Sequence, residues 1–238
     1  MAEDQLKHFK TAKDLNEEFK EELTKRSLHF RGNLGSFSLI SLDRKTPEQG
    51  KGGLVDYKQG CSCLSDINAI LESKLEKIEL GKSRPTREKE LQAWIINFAI
   101  NNDYTLPFSS GLKFLTSELA FQKPRKIVND ILAIDQEGSL VVIELKSARH
   151  KTELEEQVNK FCDVIAVEKS LFEELVKLLS PEKEWNGKVR KMIVWPDANG
   201  QQRNDWASDI EEVRYKEHSE ADDRPEIDYD ENGNIIFL

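Results

Sequence analysis

A chain of 238 residues, 38% apolar and 33% charged, can bury one sizeable core, or a core of about 150 residues carrying an appendage. No apolar run approaches the roughly 18 residues of a membrane helix, and "MAEDQLKHFK" has no apolar signal region, so a cytoplasmic protein free of any membrane is expected. The formal charge of −9 would argue against a polyanionic partner if it were evenly spread, but 13 Lys and Arg face 14 Asp and Glu in residues 1–80, 12 face 11 in 81–160, and 10 face 19 in 161–238.

Leu6, Phe9, Leu15, Phe19 and Leu23 recur at helical spacing and predict an amphipathic helix over residues 4–26. "SFSLISLD" (36–43) predicts a strand. Residues 44–62 are rich in Gly, Lys and Pro and read as a loop, whose "GKGG" lacks the spacing of a phosphate-binding loop. A helix is predicted over 64–80 and is closed by "GKSRPT", which places a boundary near residue 82. Cys61 and Cys63 in this part, with Cys162, are too few for a disulfide framework and lack the partners of a zinc site, so reduced thiols are expected.

From Thr86 helices and strands alternate. A helix over 86–102 has Leu91, Ile95, Phe98 and Ala99 on one face, and strands follow at 111–121 and twice within 130–145. A long helix over 151–179 turns Leu154, Val158, Phe161, Ile165, Phe172, Leu175 and Leu179 inward. Strands at 188–198 and 210–215 come next, then a terminal hairpin in 226–238 turning at Asn232-Gly233. This order predicts an α/β fold with a central mixed β-sheet flanked by helices, after a mainly helical N-terminal region. The expected divisions are 1–82, a core over 83–204, and an acidic strand or hairpin segment over 205–238.

Within "DILAIDQEGSLVVIELKSARHK" (130–151), Asp130, Glu144 and Lys146 interrupt runs that are apolar on both faces, as buried central strands are. A hairpin centred on Glu137 sets Asp130 across from Glu144, with Cβ atoms roughly 5 Å apart. Strand alternation puts Lys146 on the same face. Two ionised carboxylates at that distance repel by about 3 kcal/mol at an effective dielectric of 20. Lys146 offsets part of this, and a hard cation such as Mg²⁺, or Mn²⁺ in its place, satisfies both oxygens at once. Such a site can hold a phosphodiester and lower the pKa of a bound water. Lys146 would orient or deprotonate that water, or neutralise developing charge.

On the preceding helix Glu88 points with Leu91, Gln92 and Ile95, whereas Glu90 points away with Asn97 and Asn101. Gln157 lies at the edge of the stripe containing Leu154 and Phe161. Two basic clusters flank the stretch: Lys123, Arg125 and Lys126 before it, and Arg149, His150 and Lys151 at its end. A nucleic acid could be met there, with Lys123, Arg125, Lys126, Arg149 and Lys151 as the contacts.

These residues resemble the PD-(D/E)XK nuclease superfamily, the restriction-endonuclease-like fold, over about residues 84–196. The resemblance rests on Asp130 at a strand start, Glu144-Leu145-Lys146 on the next strand, and Glu88 on the helix before. "Gln157-Val-Asn-Lys-Phe161" is similar to the Q-x-x-x-Y of one branch. It implies Asp130 and Glu144 as metal ligands, Glu88 as a further metal-proximal carboxylate, Lys146 as the catalytic lysine and Gln157 as a support. Asn129 stands where the superfamily has Pro, and Phe161 has no hydroxyl. The expectation is a Mg²⁺-dependent nuclease acting on DNA, an arrangement compatible with a homodimer. The alternative is a non-catalytic binding module whose acidic end, with 12 Asp and Glu against 3 Lys and Arg from residue 205 on, engages a basic partner.

Overall fold

The computed structural model describes residues 2–43, 55–57, 86–108, 111–121, 126–147, 151–197, 209–218 and 226–238. The predicted helix over 64–80, the boundary near 82, Cys61, Cys63, Lys123, Arg125, Arg149 and His150 lie outside them.

The N-terminal region holds α1 (Ala2–Glu18), α2 (Lys20–Lys25) and an antiparallel sheet of β1 (Leu28–Gly32), β2 (Phe37–Ser41) and β3 (Val55–Tyr57). Here the structure departs from the single long helix and lone strand that periodicity predicts. The helix breaks at Phe19, which has φ −107° and ψ 21°, and the chain turns so that Phe19 and Leu23 pack with Ala12, Leu28, Phe30, Phe37 and Leu39. β1 escapes prediction because all five of its residues are buried, His29 and Arg31 included, which hides the alternation that marks a strand.

The core sheet runs β4-β5-β6-β7-β8, formed by β4 (Lys113–Phe121), β5 (Ile127–Ile134), β6 (Leu140–Leu145), β7 (Val189–Pro196) and β8 (Ile210–Tyr215). β4, β5 and β6 pair antiparallel, while β6, β7 and β8 pair parallel, so the sheet is mixed. The antiparallel half needs only a hairpin. The parallel half needs a crossover, supplied by α4 (Lys151–Val167) and α5 (Lys169–Leu179). These two helices replace the predicted single one, with Glu168 at the break.

Helices cover both faces. On one face Leu154, Val158 and Phe161 of α4 and Phe172 and Leu175 of α5 meet Leu132, Val142 and Ile193. On the other, Leu91 and Ile95 of α3 (Arg87–Asn101) meet Ile131, Val141 and Ile143. Because both faces are covered, all six residues of β6 are buried.

The flanking regions share these cores. Leu6 and Phe9 of α1 join the first, at about 2 kcal/mol of burial each, and Ile40 and Leu42 join the second. Gly32 lets α1 approach β1: a Cβ there would stand 2.6 Å from the Cα of Phe9. The acidic end is likewise built in. β8 is the fifth strand of the sheet, and Tyr215, Ile227 and Ile235 are buried in the second core. β9 (Glu217–His218) pairs with β10 (Glu226–Ile227), and the predicted hairpin forms with Tyr229 bridging Ile235 around an Asp230–Gly233 turn. Many of its acids are paired internally: Glu211 with Arg190, Glu217 with Arg87, and Asp228 with His218.

Two sheet edges face each other across a short gap, β1 on one side and β4 on the other. Both are met by asparagine amides that imitate a peptide unit. Asn16 donates to the carbonyl of Phe30 (2.7 Å) and accepts from its N–H (2.8 Å). Asn33 donates to the carbonyl of Glu118 (2.8 Å) and accepts from the N–H of Ala120 (3.4 Å). A cavity of about 430 Å³ lies between the two edges, lined in part by His29, Arg31 and Lys113, and none of the predicted site residues lines it.

His29, edge-on to Phe114, supplies a pH test of this packing. Burial, helped by the Arg31 charge, lowers its pKa from 6.5 to about 3. The folded chain therefore keeps His29 neutral where the unfolded chain protonates it. This contribution is fully present above pH 6.5 and is lost as the pH falls towards 3, by about 1.4 kcal/mol per unit. Melting temperature should fall more steeply between pH 6.5 and 4.5 for wild type than for His29→Phe, and parallel curves would refute the assignment.

Candidate active site

The β5–β6 hairpin has the predicted register. Ile131 pairs with Ile143, Leu132 with Val142, Ala133 with Val141 and Ile134 with Leu140, so the next facing pair is Asp130 and Glu144. The turn holds this register through Asp135, whose carboxylate accepts from the N–H groups of Glu137 (2.9 Å) and Ser139 (2.8 Å). Gly138 is required in the turn, with φ +86° and a Cβ position only 2.2 Å from the carbonyl oxygen of Glu184.

The ladder ends where the charges begin. Beyond Ile131 and Ile143 two side chains take over main-chain partners. The Asn129 amide donates to the carbonyl of Ile143 (3.2 Å), and the Asp130 carboxylate accepts from the N–H of Leu145 (2.8 Å). Asn129 thus does structural work, and its Oδ1 is buried without a partner among the described residues.

Lys146 Nζ lies 2.9 Å from Glu144 Oε1 and 3.9 Å from Glu88 Oε1. The α3 helix brings Glu88 there from its first turn, where the Thr86 hydroxyl caps the N–H of Lys89. Glu90 points away, as expected, and accepts from the hydroxyl of Tyr229 (2.9 Å).

Burial, and next the Glu144 charge, push the Asp130 carboxyl well above the usual carboxylate range, against the pull of Lys146 and the Leu145 amide. Burial also raises Glu144, with Lys146 opposing and Glu88 and Glu118 adding. For Lys146 burial favours the neutral amine, but Glu144, Asp130 and Glu88 outweigh it and hold the ammonium above its usual value. Three carboxylates thus share one ammonium.

Such a charge excess can draw a cation, and Asp130 and Glu144 are the described residues that could hold a divalent metal. The three carboxylates surround Lys146 and do not close on a common point. Among the described residues no three His, Cys, Asp or Glu side chains have the spacing to hold a metal ion. A cation held by Asp130 and Glu144 would compete with Lys146 for the Glu144 carboxylate. Glu88, its side chain 33% exposed, adds its negative charge to that of Asp130 and Glu144.

The remaining expectations divide. Gln157 is exposed on α4, and its side chain makes no hydrogen bond to the carboxylates among the described residues. Phe161 is 1% exposed and packs edge-on to Phe121 and Phe172, which makes it a core aromatic. Lys126 is exposed beside β5, whereas the side chain of Lys151 lies outside the described part, like the other basic contacts.

Six residues around the site were not singled out from sequence. Gln92 donates to the carbonyl of Asp130 (3.0 Å) and to Glu118 Oε1 (3.1 Å), and Lys89 pairs with Glu118. Tyr215 donates to the carbonyl of Lys146 (3.0 Å), and Arg87, paired with Glu217, donates to that of Ser147 (2.7 Å). Glu118 carried the same signal as Asp130, a lone acid inside an apolar strand.

No family of known proteins and no curated protein matches the sequence. Among solved structures, a chain from an EndoMS–double-stranded DNA complex matches with 19% identity and a TM-score of 0.33, over 50% of this chain and 40% of that one. A repair endonuclease from Pyrococcus abyssi matches with 20% identity and a TM-score of 0.32, over 51% of this chain and 43% of that one. The match thus spans about two fifths of the length of either.

Proposed function

We propose that this protein is a metal-dependent nuclease of the PD-(D/E)XK type that hydrolyses phosphodiester bonds, with DNA as the substrate. The observation that carries the reading is the gathering of Asp130, Glu144 and Lys146 where β5 and β6 part, with Glu88 reaching Lys146 from α3. Asp130 and Glu144 would hold Mg²⁺ or Mn²⁺. When bound, the cation supplies Lewis-acid stabilisation of phosphoryl charge and a more acidic water. The chain's own residues do the rest. Main-chain contacts fix Asp130, the Glu144 carboxylate holds the Lys146 ammonium, and that ammonium neutralises negative charge on a phosphate drawn to the site.

The test is cleavage of linear, circular and single-stranded DNA, and of RNA, with Mg²⁺ or Mn²⁺ and with chelator. Wild type should cut in metal only, and Glu144→Ala should lose at least about 10³-fold in rate while folding normally. A Glu144→Ala protein that cuts like wild type would overturn the proposal.

A further inference from the structure

Glu118 has φ +53°, in the left-handed region, and it stands inside β4. Among the described residues the other non-glycine positions with positive φ, Ser27, Asp103 and Tyr104, all lie in turns. A Cβ is disfavoured in that region, so such a conformation persists in a strand only where its surroundings fix it. Here they do so from two sides. The Asn33 amide holds the carbonyl of Glu118 and the N–H of Ala120. On the other side the Glu118 carboxylate pairs with Lys89 and accepts from Gln92.

Those contacts lead to the site. Gln92 is 5% exposed, and the amide nitrogen that donates to Glu118 also donates to the carbonyl of Asp130, while Lys89 holds its Oε1 at 3.0 Å. Asp130 in turn accepts from the N–H of Leu145. Glu118, Gln92, Asp130 and Leu145 form one continuous chain of hydrogen bonds from α3 and the edge strand to the parting of β5 and β6. Ser or Ala at 118 would leave the buried Gln92 amide with one partner fewer and free to turn.

We propose that Glu118 is a positioning residue of the nuclease site: through Gln92 it fixes the main chain of Asp130, and its strained backbone is retained for that role. The inference rests on the nuclease reading, and its test reads positioning without turnover as well as with it. The pair Glu118→Ala and Glu118→Gly both lose the carboxylate and differ only in the Cβ that the positive φ disfavours. The Gly variant should melt above the Ala variant. In both, the Leu145 amide should exchange at least tenfold faster relative to the other β6 amides, and kcat should fall at least tenfold with KM within twofold. Glu118→Gln, which can still accept from Gln92, should recover most of both. Unchanged Leu145 exchange in Glu118→Ala overturns the inference, as does a Gly variant that regains wild-type kcat along with its stability. A wild-type chain that cuts no nucleic acid sinks the nuclease reading alone, because the Leu145 exchange still reports on positioning.

Discussion

Asp130→Asn should abolish cleavage while making the metal-free protein more stable. The Asp130 carboxylate is disfavoured as an anion by burial and by Glu144, and the amide removes the charge while keeping an oxygen for the Leu145 N–H. Relief of a like-charge pair at cross-strand distance, partly offset by the lost attraction to Lys146, is worth about 1–2 kcal/mol. For a chain of this size that is a rise of roughly 3–6 °C in melting temperature at pH 7. The rate should drop at least about 10³-fold. Saturating Mg²⁺ or Mn²⁺ should reverse the order, stabilising wild type by about 2.7 kcal/mol at a hundred times its dissociation constant and the variant hardly at all. A variant that melts below wild type without metal would show that Asp130 is not held against repulsion.

Lys146→Met should have the opposite sign. The ammonium is the one cation among the described groups that touches both Glu144 and Glu88, and its loss leaves Asp130, Glu144 and Glu88 facing one another around an apolar side chain. Removing one partner from such a largely buried cluster costs about 2–4 kcal/mol, slightly below the range for fully buried pairs because the Lys146 side chain retains 21% exposure. Cleavage should be lost. Mn²⁺ should then raise the melting temperature of Lys146→Met by more than it raises that of wild type, since no ammonium competes for Glu144 Oε1. Equal metal shifts in the two proteins would argue that the cation sits elsewhere, and melting measured with and without Mn²⁺ decides it.

The two variants separate because register and burial act on different groups, and register was the part legible in sequence. The spacing of "DILAIDQEGSLVVIEL" fixed which residues face each other, and the ladder from Ile131–Ile143 to Ile134–Leu140 repeats it. Helical periodicity likewise told Glu88 from Glu90. What sequence could not show was the parting of β5 and β6, because it depends on Asn129 and Asp130 side chains replacing main-chain partners. Nor could it show that Gln157 would face solvent: a residue at the edge of an apolar stripe is turned in or out by packing that lies far away in sequence. The helix breaks at Phe19 and Glu168 are of the same kind, set by what each segment must cover. Glu118 was missed for a simpler reason, since a single acid in a strand gains meaning only once its neighbours on α3 are known.

The clasp on the end of β6 also orders events in time. Tyr215 reaches the carbonyl of Lys146 across 69 residues of chain, and Arg87 meets Glu217 across 130. β8, which carries Tyr215, lies beside β7 in a parallel pairing. A ribosome that has already made Asp130, Glu144 and Lys146 has therefore not yet made the strand that steadies them. The groups proposed to carry the reaction are thus synthesised before Tyr215 and Glu217, the residues whose contacts hold the end of β6.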